Sequence, residues 1–378
     1  IKDKFDALDA LLVFLEVPLS VFNQSAIGIA TNRDTWISGF SKDNVIVNSK
    51  KLITNYNTEL NRLVKVPNEE RKHHLNRGED FVKWSAKLED SIKRTKTFNF
   101  DTGKMRLSMY RPFTKKWLYY SDEIVERPGK YYKKFGQDNL VITTTGRGTS
   151  RDFSVIVTNL IPDIQLQMNG QGFMRYDNDV DETQLFQSND NMNPAFAEKL
   201  GLNLDDTFAY VYGLLNSRDY QEKYANDLKK DLARIPIAKH KEKYVEVGKA
   251  LMNLHLNYEE VPVYDDVEIQ LATQPSYKVS KMKFIKKGDR SAIVYNNDIT
   301  IRNIPEKAYE YMVNGRSAIE WIMDQYQIKT DKKSGITDDP NDYSTDEKYI
   351  FNLLLRIINV SVQTVDLVNS LPKFEVEE

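Results

Sequence analysis

Between Asp206 and Ile237 the apolar residues recur at helical spacing and then stop. Phe208, Val211, Tyr212 and Leu215 fall on one face of a helix. That face is too apolar to be left in water, so whatever this chain folds into must supply an apolar surface to cover it. Asn216-Ser217 breaks the pattern. A second short helix carries Tyr220, Tyr224 and Leu228, and a basic exit through Lys229, Lys230 and Arg234 closes at Ile235-Pro236.

Around this helix pair the chain reads as a mixed α/β (α+β) fold in successive textures. Residues 1–95 form a helical lead-in. Leu52, Tyr56, Leu60 and Leu63 share one helix face, Phe81, Trp84, Leu88 and Ile92 another, and Pro67–Glu70 makes a turn and helix start between them. Residues 96–378 form the main domain, β-rich over 96–175. Its strand-type runs are 106–110, 116–120, 140–144 and 154–158. The acidic, Asn-rich stretch 177–206 reads as a surface excursion. The helix pair 206–230 follows, then a β-meander over 281–304 with turns at Gly288-Asp289 and Asn296-Asn297. The end, 305–370, is helical. Ser317–Glu320 and Ser344–Glu347 are both capping-box patterns, and Lys329–Gly335 reads as a polar loop between them.

Composition limits the function classes. The 378 residues suit one large domain or a few smaller ones, and 40% hydrophobic content supports a core. No run of 18 or more apolar residues occurs, so no membrane span is expected. The opening segment carries Lys2, Asp3 and Lys4 and no small-residue cleavage site, and reads as a core element. It starts without Met, as a piece of a longer chain would. With no cysteine there are no disulfides or thiolate zinc sites, which fits a cytoplasmic location. His73, His74, His240 and His255 have no ligand spacing, so no metal site is expected.

Net charge is −2, but it is unevenly spread. Residues 83–134 hold 14 Lys and Arg against 6 Asp and Glu, whereas residues 177–206 hold 1 against 8. A basic face can hide within a neutral total; ordinary surface mixing gives the same count.

Catalytic signatures are missing. There is no glycine-rich cofactor loop and no Pro-Pro for an adenine-methylating Asn-Pro-Pro-aromatic motif. Gly146–Ser150 lacks the lysine of a phosphate-binding loop. Asp227-Leu228-Lys229 and Asp331-Lys332-Lys333 have nuclease-like spacing but sit in a helical pattern and a loop, as surface charge. Asp338–Asp342 lacks the spacing, glycine and closing Glu of a calcium loop. No catalytic residue is assigned.

Recognition chemistry is better represented. Thr145, Arg147, Thr149, Ser150 and Arg151 lie on a turn between two expected strands. Gln165, Gln167, Asn169 and Gln171 lie across the next strand. Arg pairs with guanine, Gln and Asn with adenine, and short hydroxyls with either bases or phosphates. These are the candidates for DNA base readout; two ordinary hairpin turns are the competing account. Candidates for phosphate contact are Arg111, Lys115, Lys116, Lys130, Lys133 and Lys134, interleaved with Trp117, Tyr119, Tyr120, Tyr131 and Tyr132. To these are added Ser217, Arg218, Lys229, Lys230 and Arg234 from the helix break and exit, and Lys332 and Lys333. The interleaved aromatics read better as core.

Several segments carry a family resemblance: Gly28–Trp36 (GIATNRDTW), Tyr110–Tyr120 (YRPFTKKWLYY), Asp206–Ile237, Gly315–Trp321 (GRSAIEW) running on to Tyr326, Lys329–Ile336 and Asp339–Asp342. Together they resemble the C-terminal target-recognition (specificity) region of Type ISP restriction–modification enzymes, which are single polypeptides that methylate adenine. The resemblance implies a double-stranded DNA partner. It also implies upstream methyltransferase, helicase-like and nuclease domains in the same polypeptide, served by S-adenosylmethionine, ATP and Mg2+. It implies no cofactor in this chain and does not say which side chains read bases. The alternative is a protein-interaction or coupling module without base readout.

Overall fold

A computed structural model describes residues 20–133, 135, 136, 138–177 and 189–377. The chain opens with β1 (Ala26–Ile27), a single turn α1 (Asp34–Ile37) and β2 (Ser38–Gly39). The long helix α2 (Lys42–Arg62) follows, its start capped by the Ser41 hydroxyl accepting from the Asn44 N–H. The expected face of α2 is buried through Leu52, Tyr56 and Leu60, with Leu63 just beyond its end. The next helix is shorter than its apolar spacing suggested. α3 covers Ala86–Lys93, so Leu88 and Ile92 lie on it while Phe81 and Trp84 precede it. Ser85 enters in extended backbone, and its hydroxyl is held by Arg33 and Glu126.

The four expected strand runs all form, as β3 (Met105–Arg111), β4 (Thr114–Tyr119), β5 (Val141–Thr144) and β6 (Val155–Thr158), joined by β7 (Ile161–Pro162) and β8 (Gln171–Met174). One sheet runs β2-β4-β3-β7 and the other β1-β8-β5-β6. Pro112-Phe113 turns β3 into β4. Phe113 holds φ 54° there because its ring is fully buried, edge-on to Tyr258. Tyr119, Tyr120 and Tyr132 are buried, as expected of core aromatics.

Within the stretch read as a surface excursion, α4 (Pro194–Leu200) forms between an Asn193 cap and left-handed Gly201. The apolar helix is α5 (Leu204–Asn216). It is followed by α6 (Arg218–Lys223), α7 (Ala225–Leu228) and α8 (Lys241–Leu256). β9 (Glu268–Leu271), β10 (Lys283–Lys286), β11 (Asp289–Val294) and β12 (Ile299–Arg302) make the expected meander, with β9 added beside β12. The hairpin β13 (Met312–Val313)–β14 (Arg316–Ser317) leads into α9 (Ala318–Gln325), started by a complete Ser317–Glu320 capping box. The expected polar loop is instead a small hairpin, β15 (Lys329–Thr330) and β16 (Thr337–Asp338). Asp331 closes it by accepting from Ser334 and donating to the Ile336 carbonyl. Ser344–Glu347 makes a local turn. The last helix, α10 (Tyr349–Asn369), starts without a side-chain cap.

Helix α10 is long and apolar enough to cross a membrane, yet most of its apolar residues are buried in the protein. Three cores meet around the sheet holding β5 and β6. Val141 points to the N-terminal core, Ile142, Val155 and Val157 to the α5–α8 layer, and Ile156 to the C-terminal core. Successive strand residues face opposite sides, so a sheet covered on both faces reads as continuous apolar sequence. The N-terminal core runs from Ala26 to Met174 across position 95, joining Leu52 and Leu88 to Leu118 and Ile161.

Candidate nucleic-acid interface

The two turns singled out by sequence are brought side by side. The Gly146 N–H donates to the Met168 carbonyl at 3.0 Å. Behind them lies a buried polar knot. The Thr145 hydroxyl accepts from the Ser154 N–H at 3.0 Å, and the Ser154 hydroxyl donates to Gln167 Oε1 at 2.6 Å. Thr145 and Gln167 are therefore internal supports, buried away from any ligand. Gln171 lies on β8, half-buried, and bonds Ser25. Arg147, Ser150, Arg151, Gln165 and Asn169 are exposed, with Thr149 half-exposed between them. Of the nine readout candidates, these six remain on the surface.

A third segment joins them, the tip of the β13–β14 hairpin. Asn314 Oδ1 accepts from the Met168 N–H at 3.2 Å, and its Nδ2 donates to the Gln165 carbonyl at 3.1 Å. Its own N–H donates to the Ser154 hydroxyl at 2.9 Å. Asn314 and Gly315 take φ 49° and 76°, the left-handed pair that a tight two-residue hairpin needs. In the sequence, Gly315-Arg316 belongs to the motif at 315–321. The Asn-Gly dipeptide itself was the available signal for this turn.

The basic exit after α7 forms the fourth segment. The Gly148 N–H donates to the Lys229 carbonyl at 3.1 Å. Arg147 pairs with Asp231 at 3.2 Å and Lys229 with Asp152 at 3.2 Å, all largely exposed. Exposed pairs of this kind contribute about 0–1 kcal/mol and exchange readily for other anions. Lys230 and Arg234 are exposed on the same exit.

Other phosphate candidates are committed to the fold. Arg111 pairs with Asp163 at 2.8 Å and lies over the Tyr110 ring. Lys115 pairs with Glu259 and Lys116 with Asp338, each at 2.7 Å and mostly buried. Their charges are neutralised internally, which takes these three out of the set of available cations. Ser217 is buried and caps α6 by accepting from the Tyr220 N–H. Arg218 pairs with Glu310, Lys133 with Asp122 and Lys333 with Glu79 at the surface. Lys130 and Lys332 are exposed. Lys134 lies outside the described residues.

Asp163 ties the second turn to this interior. Its carboxylate accepts from the Gln165 N–H at 2.8 Å as well as from Arg111. Burial pushes its carboxyl upward, against the pull of Arg111. Among the described residues no group of three or more His, Asp or Glu is placed to hold a metal ion. Among the described residues of these turns no nucleophile–base pair is formed. They offer a polar, Arg-bearing surface held by hydrogen bonds.

The sequence profile of the Type ISP C-terminal specificity domain matches residues 20–353. No curated protein sequence matches the chain. One similar solved structure is a nuclease-deletion mutant of the Type ISP restriction–modification enzyme LlaGI in complex with a DNA substrate mimic. It is 45% identical with a TM-score of 0.87, over 95% of this chain and 34% of that one. The ATP-dependent Type ISP enzyme LlaBIII bound to DNA is 40% identical with a TM-score of 0.86, over 96% of this chain and 24% of that one. The DrdV–DNA complex shares the fold at 24% identity, with a TM-score of 0.80 over 94% of this chain and 36% of that one. The chain thus spans about a third or less of the two Type ISP enzymes it matches. With its fold, its sequence and its segments in agreement, this chain belongs to the Type ISP C-terminal specificity domain family.

Proposed function

We propose that this chain reads a short sequence in double-stranded DNA for a longer restriction–modification polypeptide. The observation that carries the reading is the Gly146–Met168 hydrogen bond that sets the 146–151 and 165–169 turns side by side, braced by Asn314 through Met168, Gln165 and Ser154, with Arg147, Arg151, Gln165 and Asn169 left exposed. Base readout needs such side chains held in fixed register, with cations nearby for phosphates. Lys229 supplies a cation beside the turns, and Lys230 and Arg234 lie exposed further along the same exit. That two relatives of 40–45% identity are described bound to DNA supports the assignment.

In this reading, adenine methylation with S-adenosylmethionine and ATP- and Mg2+-dependent translocation and cleavage belong to other domains of the polypeptide, working in the cytoplasm. The test is a selection from random duplex DNA, followed by titration at increasing salt. A single enriched motif is expected, with affinity falling steeply as salt rises because bound phosphates release counterions. Failure to retain any duplex at low salt would sink this reading and favour a module that couples protein domains instead.

A further inference from the structure

Resting on that reading, we propose that the tip of the β13–β14 hairpin is the positioning element of the readout, with Gly315 forming the seat of Arg151. Arg151 comes from the loop after β5 and Gly315 from more than a hundred residues later. A methyl group on Gly315 would stand 2.6 Å from Arg151 Nη1, 3.0 Å from its Cδ and 3.2 Å from its Cζ. The arginine therefore lies along the bare backbone of the hairpin tip, in space that only glycine leaves open. The neighbouring Asn314 fixes the other turn through Gln165 and Met168, and reaches Ser154 beneath the first. One two-residue tip thus sets both readout turns, and Arg151 is the side chain whose direction it decides.

A seated guanidinium suits a bidentate contact to the O6 and N7 of a guanine, where direction matters as much as charge. The obstacle a Gly315→Ala methyl meets is the far end of a flexible side chain. The arginine is expected to swing away while the hairpin stays folded. Gly335 is the matched control, because it also has positive φ (73°) but nothing within 4 Å of an added methyl. Both alanine variants place a side chain at a similar positive φ (76° and 73°); only one displaces Arg151.

The experiment measures affinity for the selected site and for unrelated duplex, using the full chain. Gly315→Ala is expected to weaken binding to the site by about 5–150-fold, at one base-pair position, with unrelated duplex changed less than about 2-fold. Arg151→Gln should do the same, and the Gly315→Ala/Arg151→Gln double variant should be no worse than Arg151→Gln alone. Gly335→Ala should bind as the parent does. If Gly315→Ala still weakens site binding in the Arg151→Gln background, the seat is wrong. If Gly315→Ala does not fold, Arg151→Lys decides. That change keeps the hairpin and the charge, and unaltered site preference would overturn the proposal. A parent chain with no sequence preference at all would overturn the proposed function itself, a distinct result.

Discussion

Helices α5 and α8 cross through Gly213 and Gly248, and this seam can be tested by adding a single methyl to either side. A methyl on Gly213 would stand 2.1 Å from the Tyr244 carbonyl oxygen, and one on Gly248 1.9 Å from that of Ala209. Contact distances are about 3.5 Å, so the helices would have to part by more than 1 Å at the crossing. In open space the change would stabilise. Alanine gains about 1 kcal/mol over glycine in helix propensity, and a buried methyl adds about 0.8 kcal/mol. Against this, the obstacles are backbone carbonyls on both sides, which cannot rotate aside. Overpacking costs about 1–3 kcal/mol even where side chains can adjust, and rigid backbone puts this site at or above the top of that range. The seam also carries the Tyr212–His255 hydrogen bond (2.6 Å) and the Tyr210–Tyr244 ring contact, which parting would strain. The expected balance is a loss of about 1–2 kcal/mol for Gly213→Ala or Gly248→Ala. Because one parting of the helices serves both methyls, the double variant should cost less than the sum. Thermal melting and urea titration read the effect. At about 2.1 cal/mol/K of unfolding entropy per residue, a chain of this size shifts by roughly 1–3 °C. Either single variant melting at or above the parent would refute the packing argument.

Three further outcomes are expected. Arg71 is buried and donates to the carbonyls of Val64, Val66 and Ile92 and to the Thr95 hydroxyl, so Arg71→Lys, with one nitrogen for four acceptors, should cost about 2–4 kcal/mol in urea titration; a change within about 0.5 kcal/mol would contradict this role. His255, enclosed between Tyr212 and Thr364, is pushed down to about 3 by burial. Its depressed pKa contributes stability that is present above about 6.5 and is lost as pH falls from there towards 3, at up to about 1.4 kcal/mol per pH unit. Urea midpoints across that window should fall less steeply in His255→Gln than in the parent, and equal slopes would discount the histidine. Finally, Asp231→Asn frees Arg147 and removes a negative charge beside the readout turn. DNA affinity at low salt should rise about 2–5-fold and return to parental values at high salt, whereas weaker binding would mean that the pair positions Arg147.

Much of the fold was legible because its signals are local. The spacing of Phe208, Val211, Tyr212 and Leu215 marked a buried helix face, and all four are buried. The strands around Val141 and Val155 announced themselves by apolar, β-branched runs, and Ser317–Glu320 by its cap. Ser344–Glu347 shows the limit of such patterns: the same residue types turned the chain without capping a helix. For the site, the sequence singled out two turns that the fold brings side by side, but could not say which of their side chains face out. Gln165 is exposed while Gln167, two residues on, is buried against Ser154.

Local signals set where helices and strands form and which faces they bury, because periodicity and capping act over a few residues. What those faces meet, and which charges remain available, follows from contacts between distant parts of the chain. Gly213 is one small residue in an apolar helix until α8 brings Tyr244 and Gly248 against it. Arg111, Lys115 and Lys116 read as a basic run, yet their partners Asp163, Glu259 and Asp338 lie 52, 144 and 222 residues away. Electrostatic pairing and close packing depend on distance in space. No spacing along this chain could reveal that the tip at Asn314-Gly315 would hold together two turns more than a hundred residues before it.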